Sequence, residues 1–471
     1  MKRLIAIVAL ALVAGACSVS APRHETALVN ANRVGASAGA AAGDASGSAS
    51  DAGATDAAGG SASGASAPGA SGTGRGSARG AAASSASSSS GGVSTKATTA
   101  SAAPGGPVPG VTKNSITISI VAGFTGPLAA LVNKAYEALQ TWQEDVNAAG
   151  GIYGRQIILK KVDHKETADG GVAACKEVTS NGSFIAAVPE GTDANVTAVD
   201  CLDAAGIPTV YYAAAADPKW KLAFADSLTS AQGGTLLASY VKNGLHGAGK
   251  KVGAIYVNQS AYKAAVDTFV AESKRQGMTV ADVEAVEPNQ ASFTSQLLRM
   301  QQAGVQILMI SSTTETIGIL RDARSMGWSP TFTGWGFQFD FLTEAGRGLF
   351  DGVTGLRPYA TVDSPAFANY AQHMNARGRN RDDRSTDLEG FPTYGRALLY
   401  GELLKRAGPN PTRQSFVLGA ETVKNFDTGI IPPVTYGTGA PAHVGITEGF
   451  AAVCCNGDYT WKGTGPPRAS W

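Results

Sequence analysis

The feature that most constrains the fold of this chain is a helix that stops at two glycines and returns at once as a strand. The stretch from Val146 to His164 reads VNAAGGIYGRQIILKKVDH. Gly150 and Gly151 can adopt the left-handed backbone that ends a helix. Upstream, Ser115–Val121 (SITISIV) has the composition of a strand and runs into a glycine-rich turn. This order of strand, helix and strand predicts a βαβ unit and therefore a parallel sheet.

The alternation of helices and strands continues in two consecutive series, the second beginning after Gln232. Apolar residues at helical spacing predict helices over 128–146, 169–180, 195–205, 236–245, 262–276, 293–303, 316–326, 365–377 and 388–407. Strands are predicted at 115–121, from Ile157, and at 184–188, 209–212, 252–257, 279–286, 306–311 and 331–334. Two such series predict an α/β fold of two doubly wound parallel-sheet lobes with a cleft between them.

The first seventeen residues have the order of an export signal: a basic start, the apolar run Leu4–Val13, and small residues before Cys17. A cysteine in that position resembles a bacterial lipoprotein signal, in which the cysteine is lipidated and becomes the mature N-terminus. Ala14 stands where such signals usually have leucine. We expect residues 1–17 to be a signal peptide and Cys17 to carry a lipid; an ordinary secretory signal cut nearby is the alternative.

Residues 18–112 are predicted to form a disordered tether. Between Gly35 and Pro107 the chain is nearly all Ala, Gly and Ser, and Val93 is the only large aliphatic residue. Such a segment buries too little apolar surface to offset its ordering entropy. Its root-mean-square reach is roughly 45 Å, so it would hold a folded body away from a membrane surface.

Charge and cysteine content exclude several classes of function. The formal net charge of +1 gives no electrostatic case for nucleic acid. The five histidines lack the spacings of a zinc site, so no metal or cofactor is expected. Export favours disulfides, and Cys175 and Cys201 lie on consecutive predicted helices that pack on one face of the sheet. We predict a Cys175–Cys201 disulfide, which leaves Cys454 and Cys455 to each other or as two thiols.

Several sequence blocks, in order from about Ser115 to Trp461, resemble one known family. They include ITISIVAGFTGPLAAL, EDVNAAGGIYGRQIILKKVD, DAAGIPTVYYA, GAIYVNQSAYKAAVDTF, FDGVTGLRPYA and FDTGIIPPVTYGTGAPAHVGI. These blocks are similar to those of type I periplasmic binding proteins of the branched-chain amino-acid class, the substrate-binding components of ABC transporters. The resemblance implies three crossings between lobes, a three-stranded hinge. It divides the chain into an N-terminal lobe, 113–230 and 355–440, and a C-terminal lobe, 231–354 and 441–466.

The candidate ligand-binding residues follow the strands, because parallel sheets bind ligands beyond the carboxyl ends of their strands. They are Phe124, Thr125, Glu190, Thr192, Ala214, Ala215, Tyr262, Trp335, Phe337 and Gln338. Each has a structural alternative: Thr192 could cap a helix, Glu190 could favour a helix N-terminus, Tyr262 could cover a lobe surface, and the other aromatic residues could belong to the core.

The resemblance implies that Thr192 anchors a ligand carboxylate and that Tyr262 closes from the other lobe on an ammonium group. Two departures bear on the ligand. Alanines 213–216 replace the family's second hydroxyl, and Gln338 lies where the family has an acidic residue. These departures favour an amide, an aromatic acid or another small polar molecule over an ordinary amino-acid zwitterion.

The sequence therefore predicts an exported, lipid-anchored, monomeric solute-binding protein that is not an enzyme. It would close two lobes on a small molecule and deliver it to an ABC permease in the membrane. A sensor of the same fold is one alternative. An exported hydrolase is another, since Ser239–Lys242 fits the S-x-x-K pattern, although that match lies inside a predicted helix and no K-T-G follows it.

Overall fold

The computed structural model describes residues 106–126, 129–213, 216–336, 340–379, 390–455, 457 and 460–464. The predicted signal peptide with Cys17 and nearly all of the tether lie outside this part, as do the predicted site residues Ala214, Ala215, Phe337 and Gln338. No helix in the described ranges is long and apolar enough to cross a membrane.

The first lobe is built on a five-stranded parallel sheet in the order β2-β1-β3-β4-β5. Its strands are β1 (Ser115–Ala122), β2 (Gln156–Asp163), β3 (Ile185–Val188), β4 (Thr209–Tyr211) and β5 (Ala223–Ala225). The second lobe has a four-stranded parallel sheet in the order β7-β6-β8-β9. Its strands are β6 (Lys251–Val257), β7 (Thr279–Val286), β8 (Ile307–Ser311) and β9 (Thr331–Trp335). The predicted α/β fold of two doubly wound sheets is confirmed.

Helices connect most successive strands of both sheets, and further helices follow the second sheet. The helices are α1 (Ala129–Ala148), α2 (Ala168–Ser180), α3 (Asp193–Ala204), α4 (Ser230–Asn243), α5 (Ser260–Arg275), α6 (Thr294–Gln302), α7 (Glu315–Ser325), α8 (Asp340–Ala345), α9 (Pro365–Ala376), α10 (Gly390–Arg406) and α11 (Arg413–Ala420). A 3-10 turn covers Ala440–His443. Helices α9 and α10 pack on α1 and so return to the first sheet.

The two glycines after α1 are required by the local backbone. Gly150 and Gly151 have φ angles of 97° and 78°. A Cβ atom on Gly151 would lie 2.1 Å from the carbonyl oxygen of Arg155. Any side chain at this position would therefore collide with the turn that leads into β2, and the abrupt change from helix to strand depends on glycine.

Several elements differ from the sequence prediction. Strand β5, helices α8 and α11, and the strands of a small antiparallel sheet described below were not predicted. Helix α4 begins at Ser230, six residues before the predicted start at Leu236. The reason is a capping box, in which the Thr229 side chain accepts the backbone N–H of Gln232 and the Gln232 side chain accepts that of Thr229.

The C-terminal strands of the described residues form a small antiparallel sheet. It contains β10 (Thr354–Arg357), β11 (Phe450–Val453) and β12 (Lys462–Gly463) in that order. Cys454, Cys455 and Trp461 are buried with Phe350 in the core of the second lobe. Val444, a few residues before β11, still bridges to the edge strand β5 of the first sheet. The predicted lobe boundaries stay predictions.

The four cysteines in the described part lie in two pairs. Cys175 on α2 and Cys201 on α3 have Cα atoms 6.0 Å apart, within the range that a disulfide spans. Cys454 and Cys455 are neighbours in sequence directly after β11. Both disulfides stay predictions.

Candidate functional site

Polar side chains from three strands of the first sheet meet beyond the carboxyl ends of those strands. Glu190, after β3, accepts the backbone N–H of Gly123, after β1, at 3.3 Å. Thr125 donates its hydroxyl to Asp163, at the end of β2, at 2.6 Å. The structure thus brings together the loops that carry the predicted residues Thr125, Glu190 and Thr192, as the parallel topology requires.

His164 lies beneath these loops, and the sequence prediction missed it. Its side chain is 0 % exposed, and burial lowers its pKa, so the ring is neutral at pH 7. The Nδ1 atom accepts the backbone N–H of Glu166 at 3.0 Å. The proton of the neutral ring is therefore on Nε2, which lies 3.6 Å from a carboxylate oxygen of Glu190. At this distance His164 faces Glu190 without a hydrogen bond to it.

Thr192 precedes α3 at the N-cap position, but its side chain makes no capping hydrogen bond. Its hydroxyl donates instead to Oδ1 of Asn195, which is buried in the first turn of the helix. The interpretation of Thr192 as a side-chain helix cap is therefore wrong. Because the hydroxyl proton is used inside the protein, the oxygen keeps its lone pairs for another donor.

Phe124 follows β1 and is packed within the first lobe. Its ring meets that of Tyr136 edge to face, with centroids 5.5 Å apart. The ammonium group of Lys161 lies 4.7 Å from the Phe124 centroid and 4.3 Å from the Tyr136 centroid. The ring therefore has a structural role, and its contact with a ligand stays a prediction.

In the second lobe, Tyr262 joins the ends of three strands. Its hydroxyl lies 2.6 Å from that of Thr313, which follows β8. Thr313 in turn donates to the carbonyl oxygen of Gly336, after β9, at 2.9 Å. Since the Thr313 proton is used in that bond, Tyr262 must be the donor to Thr313. Burial raises the pKa of Tyr262, so its oxygen stays protonated and offers only lone pairs to a further partner.

Trp335 is the last residue of β9, and its side chain is 7 % exposed. Its ring packs on α4 at Gly233, where a Cβ atom would lie 2.5 Å from the indole. Trp335 is therefore packed in the core, which was the structural alternative for this residue. Its contact with a ligand stays a prediction.

A buried ion pair also lies beyond the carboxyl ends of the strands in the first sheet. The sequence prediction missed it. Arg396 on α10 and Asp226 after β5 are 2 % and 1 % exposed. Nε of Arg396 is 3.4 Å from Oδ1 of Asp226, and Tyr400 donates to Oδ2 at 3.2 Å. Burial raises the pKa of Asp226 to about 6, against the opposing effect of Arg396. The one signal in the sequence was an arginine in the otherwise uncharged stretch GRALLYG.

The surroundings of Ser239 bear on the S-x-x-K match. Ser239, the first residue of the S-x-x-K match, is buried within α4, and its hydroxyl accepts a hydrogen bond from Gln276 at 2.7 Å. It is therefore held between helices and not at a strand end. No group of three or more His, Cys, Asp or Glu side chains in this part of the chain could hold a metal ion.

Known proteins resemble this chain over its folded part. A family model described as periplasmic binding protein matches residues 115–456. The Leu/Ile/Val-binding protein homolog 3 of Brucella melitensis is 26 % identical over 197 residues, which are 41 % of this chain and 53 % of the relative. The Leu/Ile/Val-binding protein BraC3 of Rhizobium johnstonii is 27 % identical over 198 residues, with the same coverage. The chain spans about half the length of these curated relatives.

Solved structures share the fold at low identity. The branched-chain amino-acid transporter substrate-binding protein of Streptococcus pneumoniae, in complex with isoleucine, has a TM-score of 0.61 and 19 % identity. That match covers 73 % of this chain and 97 % of the other. A solute-binding protein of R. palustris in complex with benzoate has a TM-score of 0.59 and 16 % identity, covering 76 % and 98 %. With its two parallel sheets and a family match over most of the described part, the chain belongs to the type I periplasmic binding proteins, in their branched-chain amino-acid class.

Proposed function

We propose that the protein is an extracytoplasmic solute-binding component of an ABC importer that closes its two lobes on a small polar organic molecule. The observation that carries the proposal is a polar group beyond the strand ends of each sheet: Thr192 in the first lobe, and Tyr262 with Thr313 in the second. A ligand that bonds to both would favour the closed arrangement of the lobes. The role involves no catalysis.

The hydrogen-bond directions favour ligands that donate N–H groups. Thr192 and Tyr262 both donate their protons within the protein, to Asn195 and Thr313 respectively. Each oxygen therefore offers lone pairs, which suit an ammonium, an amide or a urea-like group better than a carboxylate. This revises the carboxylate role that the family resemblance implied for Thr192. Related proteins were solved with isoleucine and with benzoate, so amino acids and aromatic acids belong in the test.

We also propose that the mature protein is lipidated at Cys17 and tethered through residues 18–112 to the outer face of the cell membrane. The support is the order of the first seventeen residues and the Ala/Gly/Ser composition that follows. The folded part would act as a monomer beside its permease. Mass spectrometry of the mature protein would identify the lipid on Cys17, and an unmodified N-terminus would contradict this part of the proposal.

A thermal-shift screen tests the ligand class with matched molecules. We would compare benzoate, benzamide and benzamidine, then L-leucine and L-leucinamide, then urea. A ligand at 100 times its dissociation constant stabilises the folded state by about 2.7 kcal/mol, which is readily measured. We expect the N–H donors benzamide and L-leucinamide to exceed the matched carboxylates. A larger shift with benzoate would contradict the preferred class, and no shift with any molecule would count against the proposed function.

Two substitutions test the residues. Tyr262→Phe removes only the hydroxyl, and Thr192→Val keeps the side-chain shape. Losing a hydrogen bond to a charged group typically costs about 1.5–3 kcal/mol, or roughly ten- to a hundredfold in affinity. Calorimetry with the best molecule of the screen measures this loss, beside melting curves of the ligand-free variants. Wild-type affinity in both variants would mean that the ligand binds elsewhere.

A further inference from the structure

One guanidinium group connects the ligand-side ends of three neighbouring strands in the first sheet. Nη1 of Arg396 is 3.4 Å from the carbonyl oxygen of Pro189, directly after β3. The guanidinium carbon lies over the ring of Tyr212, after β4, at 4.7 Å. Its Nε faces Asp226, after β5, at 3.4 Å. The first two positions begin loops that carry predicted ligand contacts of the first lobe, Glu190 and Thr192 after β3 and Ala214 and Ala215 after β4.

Residues next to the Arg396–Asp226 ion pair make hydrogen bonds that connect the same loops. Ser227, next to Asp226, accepts the backbone N–H of Ala213 at 2.8 Å, at the start of the alanine run. Tyr212 donates its own backbone N–H to Val188 at 2.9 Å, which joins the ends of β4 and β3. The loops after β3, β4 and β5 therefore share one buried polar anchor.

We infer that Arg396 is the positioning residue of the ligand site in the first lobe, a role that rests on the function proposed above. The residue is 2 % exposed, so we assign its effect to the loops that it contacts. It fixes the separation of the loops after β3 and β4 through the fork geometry of its guanidinium and its contact with Tyr212. Lysine cannot reproduce this arrangement, because its ammonium group is a single point of charge without a planar fork.

Arg413 offers a matched control, because it lies at the opposite end of the strands in the same sheet. Arg413, at the start of α11, donates to the carbonyl oxygens of Ser183 and Phe184 at 2.8 and 3.1 Å. It also donates to that of Gly206 at 3.4 Å. These residues precede β3 and β4, so Arg413 contacts the N-terminal ends of these two strands. Arg396 contacts the residues that follow their C-terminal ends. A general effect of removing an arginine would appear in both variants.

Hydrogen exchange of the ligand-free protein is the first test. For Arg396→Lys we expect the hydrogen-bonded amides of 211–213 and of Asp226 to exchange at least tenfold faster, with little change at the N-terminal ends of β3 and β4. For Arg413→Lys we expect the faster exchange at 183–186 and at residues 206, 207 and 209 instead. If Arg396→Lys lowers the melting temperature and leaves exchange in 211–213 and at Asp226 at the wild-type rate, the residue is merely structural and the inference is wrong.

A second variant separates positioning from charge balance. Arg396→Met alone leaves Asp226 as a buried charge without its cation, and removing one partner of such a pair destabilises strongly. The double variant Arg396→Met with Asp226→Asn removes both charges. We expect it to regain folded stability but to keep the fast exchange in 211–213 and at Asp226. Recovery of both would overturn the inference.

Binding of benzamide gives the third measurement. We expect at least tenfold weaker binding by Arg396→Lys and by the double variant, and wild-type binding by Arg413→Lys. Equal losses in Arg396→Lys and Arg413→Lys would contradict a positioning role. If benzamide and the rest of the screen do not bind the wild-type protein, that result counts against the proposed function, and the exchange measurement alone decides whether Arg396 fixes the two loops.

Discussion

Removal of the predicted Cys175–Cys201 disulfide should lower the stability of the first lobe by a calculable amount. The two cysteines join α2 and α3, which pack closely: a Cβ atom on Gly171 would lie 2.3 Å from the carbonyl oxygen of Ala194. Their sequence separation is 26. In the chain-entropy model a loop of this length gives roughly 3.5 kcal/mol. At 2–4 °C per kcal/mol for a lobe of this size, the melting temperature should fall by roughly 7–14 °C.

The assay is scanning calorimetry of the wild-type protein and of Cys175→Ala with Cys201→Ala, each with and without dithiothreitol. The reductant should lower the melting temperature of the wild type toward that of the double variant. Any effect that remains in the double variant belongs to Cys454 and Cys455, and subtracting it isolates the first pair. The reasoning is refuted if the reductant shifts both proteins equally, or if peptide mapping of the unreduced protein finds a free thiol at Cys175.

Three further predictions address the tether, a buried histidine and a helix contact. A chain starting at Val108 should melt and bind like the mature protein, because the preceding residues have almost no apolar content to bury; a large loss in either measurement would contradict this. Burial lowers the pKa of His164, so the unfolded chain takes up the proton first and stability should fall as the pH drops below about 6.5. Urea titrations from pH 7.5 to 5 should find a weaker acid dependence in His164→Gln than in wild type. Gly233→Ala should destabilise by about 1–3 kcal/mol through overpacking against Trp335, more than the roughly 0.5–1 kcal/mol gained from helix propensity, and a rise in melting temperature would count against this contact.

The sequence predicted the fold because its signals are local. Apolar spacing distinguishes helix from strand within a window of a few turns, and their strict alternation requires parallel pairing. The φ angle of Gly151 and the collision that a side chain would make there explain why the turn into β2 carries glycine. Strand β5 escaped prediction because two of its three residues are alanine, which is uncommon in strands, whereas the equally short β4 has the strand-favouring residues Thr, Val and Tyr.

The candidate site could be predicted only as a set of loops. Strand ends identify where ligands gather in a parallel sheet, and this led to Thr125, Glu190, Thr192 and Tyr262. The same rule cannot distinguish a pocket residue from a core residue, since both follow or end a strand. Trp335 is the example: its position in sequence suits either role, and its packing on α4 is decided by the neighbouring helix.

The sequence by itself determined the order of elements, the parallel sheets and the loops at which a ligand would bind. The tertiary structure decided which groups those loops present and what holds them. Arg396 and Pro189 are 207 positions apart, and no local pattern joins them. The donor role of Tyr262 likewise depends on Thr313 and Gly336 from two other strand ends. Hydrogen-bond direction and the burial of a charge are properties of packed neighbours, and only the folded chain brings those neighbours together.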